Sequence, residues 1–189
     1  MWDILIQDKV IELHQDGWNY CDVGSCQGIH TNLFLSLRPN KVYAFDILDT
    51  NPRIPGAINE RLAISDIDGF EKMFYNGSHE SNLFAGNSSK KIGSIRLDTY
   101  FKGKELDCIK MDIEGSELKA LRGGLETINK CKLVLIECHW DEDWLEIYNI
   151  IKNMGFKNLV NNEPVFYGEC EKIEGRSNNG RPYQMYKNK

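Results

Sequence analysis

The chain has 189 residues, 41% of them hydrophobic and 27% charged, with a formal net charge of −5 at pH 7. This acidic balance excludes a broad basic footprint for nucleic acid, although it leaves a local basic patch open. No apolar run approaches the roughly 18 residues of a membrane span. Residues 1–8 show neither the basic region nor the cleavage site of a secretion signal, so we do not expect export. The six cysteines form no C-x-x-C pair, so we expect buried, reduced thiols and a cytoplasmic protein.

Helices and strands are predicted to alternate along the chain. Apolar side chains recur with helical spacing over 2–16, 29–37, 116–128 and 143–154. Short apolar runs predict strands over 18–23, 41–47, 58–66, 106–113 and 132–140, and two or three more between 157 and 186. Residues 67–94 are polar and rich in Gly, Ser and Asn, so we expect mostly a loop over the site, with room for a hairpin.

This alternation predicts an α/β, Rossmann-like fold, because strands joined by helices pair in parallel. The last strands follow one another without a helix, which predicts an antiparallel C-terminal edge. We therefore expect a mostly parallel seven-stranded sheet with helices on both faces. A single domain is expected over 1–189, with an N-terminal helix at 1–17, a cofactor-binding core at 18–140, and a C-terminal helix with antiparallel strands at 141–189.

A glycine-bearing turn, Asp22-Val-Gly24-Ser-Cys26-Gln-Gly28, joins the first predicted strand to its helix. The two glycines let a ligand approach the backbone closely. The dinucleotide fingerprint G-x-G-x-x-G is absent, and Cys26 stands where many such loops carry their middle glycine. Because the Asp22 carboxylate repels a pyrophosphate and suits a cation, the turn favours S-adenosylmethionine (SAM). Taken alone, an ordinary glycine-containing turn explains the pattern equally well.

Further polar residues follow the next strands at the same edge of the predicted sheet. Asp46 ends the second strand, where a carboxylate reaches the ribose hydroxyls of a bound nucleoside. Its alternative role is that of an ordinary surface aspartate, and we favour the ligand role. Ser65 and Asp66 end the third strand beside it. Since open α/β sheets bind ligands beyond the carboxyl ends of their strands, these residues predict one site.

Three segments carry a family resemblance. Ile109-Lys110-Met-Asp112-Ile-Glu114-Gly115-Ser-Glu117 resembles the "IKxDxEGxE" signature of the FkbM methyltransferases. Residues 22–31 are similar to the family's "DVGANxGxxT", and residues 63–66 to its "A(V/I)S(D)" stretch. In two departures, Ser25-Cys26 replaces the usual Ala-Asn, and Asp46 replaces the more frequent Glu. The resemblance runs from about residue 18 to 140.

The resemblance implies a class I methyltransferase fold, SAM as cofactor, and O-methylation of a hydroxyl on a sugar, a glycan or a small metabolite. By position it implies a cofactor site made of Asp22, Gly24, Ser25, Gly28, Thr31, Asp46, Ser65, Asp66 and Asp112. Asp112 and Glu114 are expected nearest to the methyl group. The acceptor would be a small molecule or glycan rather than nucleic acid or membrane, and monomer and homodimer stay open.

Methyl transfer to an alcohol needs a base that removes the hydroxyl proton during attack. The candidates are Asp112, Glu114 and His139. A divalent ion such as magnesium or manganese would serve instead as a Lewis acid, with Asp112, Glu137 and His139 as its ligands. Carboxylate clusters also form without ions, so metal dependence stays a secondary expectation. Lys110 is expected to pair with an acid, with catalysis as its minor alternative.

Two further functions stay open at this stage. One is methylation of a nucleic acid or protein on the same fold, for which a basic face would be the distinguishing feature. The other is a non-catalytic SAM-binding module, which would keep the glycine turn and Asp46 but expose no base.

Overall fold

The computed structural model describes residues 2–49, 51–75, 88–138, 141–158 and 183–187. Its helices are α1 (Trp2–Leu13), α2 (Ile29–Ser36), α3 (Leu97–Tyr100), α4 (Glu117–Arg122), α5 (Leu125–Ile128) and α6 (Asp141–Asn153). Its strands are β1 (Asn19–Val23), β2 (Lys41–Phe45), β3 (Ile58–Glu60), β4 (Ala63–Ile64), β5 (Gly69–Tyr75), β6 (Ser88–Ile95), β7 (Cys108–Met111), β8 (Leu133–Glu137), β9 (Lys157–Asn158) and β10 (Tyr183–Lys187).

The main sheet has seven strands in the order β3-β2-β1-β7-β8-β10-β9. The first five run parallel, and β10 runs antiparallel to both of its neighbours. The predicted Rossmann-like sheet with an antiparallel C-terminal edge is therefore confirmed. The strand expected near residues 164–167 lies outside the described residues.

The register of β1 with its neighbours brings the predicted site residues to one edge. Asp22 lies opposite Ala44 of β2 and Lys110 of β7. Because all three strands are parallel, they end at the same level, and Asp46 and Asp112 follow directly after β2 and β7. This edge carries the candidate site.

The polar stretch 67–94 differs from expectation. Within it, β5 and β6 form an antiparallel pair, and β4 joins them in a separate three-stranded sheet of order β4-β6-β5. The main expectation of a loop was therefore wrong for 69–75 and 88–94, where the hairpin that the sequence left open is present, while 76–87 lie outside the described residues. Met73 and Ile92 pack against Leu48 on one face, so the polar side chains occupy mainly the other face.

The predicted third strand, 58–66, is divided between two sheets. β3 pairs with β2 in the main sheet, whereas β4 pairs with β6. Apolar side chains occur in both pieces, so the apolar pattern alone gave no sign of the break.

The hydrophobic core lies on both faces of the main sheet. Tyr20 of β1 packs on one side against Phe34 of α2, with the two rings stacked at 4.8 Å. Cys21 and Val23 belong to a second buried cluster, which includes residues of α4 and α6. Successive side chains of β1 thus point to opposite faces of the sheet, and helices pack on both faces, as predicted. In the described part of the chain, no helix has the length and apolar character needed to cross a membrane.

Candidate functional site

The turn after β1 is fastened to the end of β2. The N–H groups of Gly24 and Ser25 both donate to the carbonyl oxygen of Phe45, at 2.9 and 3.0 Å. Gly24 has a φ of +82°, and a Cβ atom there would lie 1.8 Å from the Asp112 carbonyl oxygen. Only glycine therefore fits, because the turn packs directly on the backbone that follows β7. Gly28, also at φ +82°, immediately precedes α2.

Cys26 takes the left-handed conformation, at φ +46°, where a glycine is more usual. Its N–H donates to Asp46 Oδ2 at 2.8 Å, which ties the turn to the segment after β2. Burial raises the pKa of the Cys26 thiol, and the nearby Asp46 carboxylate adds to this. The side chain is therefore a neutral thiol at neutral pH.

Asp22 is fully buried and engaged within the protein. Its Oδ2 accepts a hydrogen bond of 2.6 Å from Thr31 Oγ1, and its Oδ1 lies 3.3 Å from Lys110 Nζ. Lys110 balances its charge, and Asp22 with Thr31 links the start of α2 to β1. The expectation that Asp22 also faces a cationic ligand stays a prediction.

Lys110 connects the turn to the end of β7. Its Nζ donates to the Gly24 carbonyl oxygen at 3.1 Å and lies 3.4 Å from Asp112 Oδ2. Burial alone would lower the pKa of Lys110, but the carboxylates of Asp22 and Asp112 outweigh burial and raise it. A protonated amine with three acceptors cannot take a proton, so Lys110 is no candidate base.

Asp46 is buried and accepts three hydrogen bonds. Its Oδ1 accepts from the N–H of Leu48 at 2.7 Å, and its Oδ2 from Cys26 and from Asn51 Nδ2 at 3.0 Å. Arg61 Nη1 lies 3.8 Å from Oδ1. The carboxylate therefore organises the loop around it, and its contact with a ribose stays a prediction.

Ser65 and Asp66 lie at the end of β4. Ser65 is fully buried, and its hydroxyl donates to Glu71 Oε1 at 2.7 Å, with Asp66 Oδ1 at 3.2 Å. Glu71 also accepts from Lys119 Nζ at 3.2 Å. The Ser65 hydroxyl is thus used within the protein, while Asp66 is only half-buried.

The segment between β7 and α4 carries two of the candidate bases. The Asp112 side chain is 25% exposed. Glu114 and Gly115 both have positive φ, at +54° and +99°. The buried Glu117 accepts hydrogen bonds from the N–H groups of Ile113 and Gly115, at 3.0 and 3.3 Å. Glu117 thus holds the loop that presents Asp112 and Glu114.

The sequence predicted that Lys110 pairs with an acid, and it pairs with Asp22 and Asp112. Glu117 and Asn51 were left out of the candidate site. For Glu117 a signal existed, because an acid in the first turn of a helix often caps backbone N–H groups. Asn51 carries no such local sign.

His139 lies outside the described residues, so its two predicted roles stay predictions. Glu137 ends β8 opposite Tyr183 of β10. Over the ranges that the structure describes, no three His, Cys, Asp or Glu residues form a group able to hold a metal ion. Asp112 and Glu137 therefore gain no third ligand from the described residues, and the metal site also stays a prediction.

The comparisons with known proteins agree with this architecture. The family model described as "Methyltransferase FkbM domain" matches residues 15–157. An FkbM methyltransferase from Methylobacillus flagellatus KT is similar in structure, with a TM-score of 0.52 and 20% identity, over 75% of this chain and 39% of that one. The chain thus spans well under half the length of that protein. A comparison with curated proteins gives no match.

Two further solved structures are similar over almost the whole chain. An rRNA methylase from Streptococcus thermophilus has a TM-score of 0.55 and 14% identity, covering 97% of this chain and 94% of that one. A candidate methyltransferase from Streptococcus mutans in complex with S-adenosylhomocysteine (SAH) has a TM-score of 0.57 and 14% identity, covering 98% and 96%. At these identities the likeness establishes the fold alone.

The sheet order, the glycine turn and the acids at the strand ends define the fold of SAM-dependent methyltransferases. The family match, which covers most of the chain, makes the assignment specific: the chain belongs to the FkbM methyltransferase family.

Proposed function

We propose that this protein methylates a hydroxyl group of a sugar, a glycan or a small metabolite, with SAM as methyl donor. SAM would supply an electrophilic methyl group on a sulfonium centre. The observation that carries the proposal is the position of Asp112. Its partly exposed carboxylate adjoins the glycine turn and is linked to that turn by the buried Lys110.

The turn, Asp46 and Asp66 would hold the cofactor. Gly24 lets the turn pack directly on the backbone that follows β7, and Asp46 would accept hydrogen bonds from the ribose hydroxyls. The buried contacts of Asp22 with Thr31 and Lys110 hold the glycine turn, α2 and β7 together. Preorganisation of this kind contributes to methyl transfer because the acceptor oxygen must align with the methyl group at about 3 Å.

Asp112 is our first candidate for the base, and Glu114 and His139 are the alternatives. Lys110 Nζ, 3.4 Å from Asp112 Oδ2, would hold the carboxylate beside the glycine turn. Proton removal would accompany attack by the hydroxyl, since a free alcohol is a poor nucleophile. The free, buried Cys21, Cys108 and Cys131 fit reducing conditions, and we propose the cytoplasm as location.

Calorimetric titration with SAM and SAH tests cofactor binding, and transfer of labelled methyl to a panel of sugars and glycans tests the reaction. Asp112→Asn should lower kcat about a hundredfold or more while SAH affinity changes by only a few fold. The matched control is Asp8→Asn, an exposed carboxylate on α1 that should leave the rate unchanged. No SAM binding would refute the proposal, and full activity of Asp112→Asn would move the base to Glu114 or His139.

A second candidate acceptor, single-stranded nucleic acid, is favoured by one surface. On the outer side of β5 and β6, Lys91 Nζ lies 4.2 Å from the centre of the exposed Phe70 ring, and Lys72 Nζ lies 5.1 Å from that of Phe74. Neither lysine has an ion-pair partner within the described ranges. Aromatic rings beside cationic groups suit stacked bases and phosphates.

The acidic net charge weighs against this acceptor. Fluorescence anisotropy with a labelled single-stranded RNA separates the two candidates. Binding that is weakened by Lys72→Gln and Lys91→Gln together, but not by Lys102→Gln on a distant turn, would support the second candidate. Unchanged binding, or none, would remove it.

A further inference from the structure

The side-chain oxygen of Asn51 is an unsatisfied acceptor inside the candidate site. Asn51 is only 4% exposed, and within the described structure its Oδ1 has no hydrogen-bond partner. Its Nδ2, in contrast, donates to Asp46 Oδ2 at 3.0 Å. Because the great majority of buried polar atoms are hydrogen-bonded, this oxygen calls for a partner that the protein itself does not supply.

The orientation of the Asn51 amide follows from its neighbours. A carboxylate only accepts hydrogen bonds, so the amide must turn its NH₂ group toward Asp46 and its oxygen away. The backbone is also held, because the Asn51 N–H donates to the Leu48 carbonyl oxygen and the Asn51 carbonyl oxygen accepts from Arg61 Nη2. Every other polar group of Asn51 is therefore used, and Oδ1 alone is left.

Asp46 has little capacity left for a ligand. A carboxylate offers roughly four acceptor positions, and the N–H groups of Cys26, Leu48 and Asn51 already take three. Asp46 can accordingly accept about one further donor, whereas the vicinal hydroxyls of a ribose present two. The unsatisfied Asn51 oxygen is attached to the same carboxylate through its own amide.

We propose that Asn51 is a nucleoside-binding residue whose Oδ1 accepts a hydrogen bond from one ribose hydroxyl, while Asp46 accepts one from the other. This inference rests on the proposed function, since it requires SAM or SAH in this site. Asn51 and Asp46 would then each recognise one hydroxyl of the ribose, whereas the sequence predicted that Asp46 alone binds both.

The test combines variants with modified ligands. SAH, 2′-deoxy-SAH and 3′-deoxy-SAH are titrated by calorimetry into the wild-type protein, Asn51→Leu and Asp46→Asn. Asn51→Leu should weaken SAH binding about tenfold, the size expected for one good hydrogen bond, yet leave one of the two deoxy ligands at its wild-type affinity. Asp46→Asn should show the same insensitivity to the other deoxy ligand.

Asn59→Ala controls for general loosening of the loop. Asn59 makes hydrogen bonds to Ile54 and Ala57 within the same segment. Its replacement should lower the affinity for all three ligands by one common factor. Thermal melting checks that each variant folds, and Asn51→Ala takes the place of Asn51→Leu if the larger side chain prevents folding.

Two results would overturn the inference while leaving the proposed function intact. One is an equal loss of affinity for all three ligands in Asn51→Leu. The other is sensitivity of both variants to the same hydroxyl, which would mean that Asn51 acts only by holding Asp46. Failure of the wild-type protein to bind SAH would instead refute the proposed function itself.

Discussion

Lys110 Nζ lies 3.3 Å from Asp22 Oδ1, and the two side chains are only 3% and 1% exposed. The pair joins β1 to β7 directly beneath the glycine turn. Since Lys110 also contacts the Gly24 carbonyl oxygen and Asp112, one buried cation connects the cofactor turn to the candidate base.

Replacing Lys110 by Met removes this cation while keeping a long apolar side chain. We expect the free energy of unfolding to fall by about 3–5 kcal/mol, because Asp22 would stay buried without its counter-charge. Urea denaturation followed by circular dichroism measures the loss. Lys102→Met, on an exposed turn, should stay within about 0.5 kcal/mol of the wild type. Asp22→Asn added to Lys110→Met should recover part of the stability.

Gly24→Ala should be far more damaging than Gly17→Ala. Both glycines have nearly the same φ, +82° and +83°, so both substitutions carry the conformational cost of about 1–2 kcal/mol. A Cβ at Gly24 would also overlap the Asp112 carbonyl oxygen, whereas a Cβ at Gly17 would meet nothing within 4 Å. Thermal melting should show a small loss of stability for Gly17→Ala and a much larger one for Gly24→Ala, and SAH titration should show loss of binding for Gly24→Ala alone. Equal behaviour of the two variants would contradict the close packing.

Glu117→Ala should destabilise the protein by about 2–4 kcal/mol. The substitution leaves the N–H groups of Ile113 and Gly115 without their acceptor in a buried position. Glu117→Gln keeps an acceptor oxygen of the same reach, so its loss should be clearly smaller. Chemical denaturation compares the two variants. If they lose the same amount, the charge of Glu117 matters and its hydrogen bonds do not.

Stability should fall with rising pH above about pH 8.5. Burial raises the pKa of the Cys21 and Cys108 thiols well above their usual range. In the unfolded chain these thiols ionise near pH 8.5, so above that pH the folded state binds more protons than the unfolded state. Each thiol then costs up to about 1.4 kcal/mol per pH unit, and below pH 8.5 its contribution is fully present.

Denaturation under reducing conditions from pH 7 to 9.5 measures this slope. Cys108→Ala should flatten it, whereas Cys26→Ala, at a partly exposed position, should change it less. An unchanged slope in Cys108→Ala would show that the thiol is not the titrating group.

The loops and short strands show where local patterns lose their predictive value. The parallel strands were predictable because each one is an apolar run bounded by polar residues. β5 and β6 were foreseen only as a possible hairpin within a loop, because an exposed two-stranded ribbon places lysines and serines on its outer face and so resembles a loop. The division of residues 58–66 between two sheets depends on which strands pair with each piece, and no short segment contains that information.

The order of helices and strands, the glycine turn and the acids at the strand ends could be predicted from the sequence. The spacing of apolar residues, the turns and the strand ends are properties of short segments, so each segment specifies its own. Which charged groups pair with one another became visible only in the folded chain. Asp22 meets Lys110, and Asn51 meets Asp46 with one oxygen left over, because β1 lies between β2 and β7 and the loops fold onto their shared edge. Burial and pairing depend on residues that are distant in the chain. These two properties distinguish Asp22, the buried carboxylate that supports the turn, from Asp112, the partly exposed carboxylate that we propose as the base.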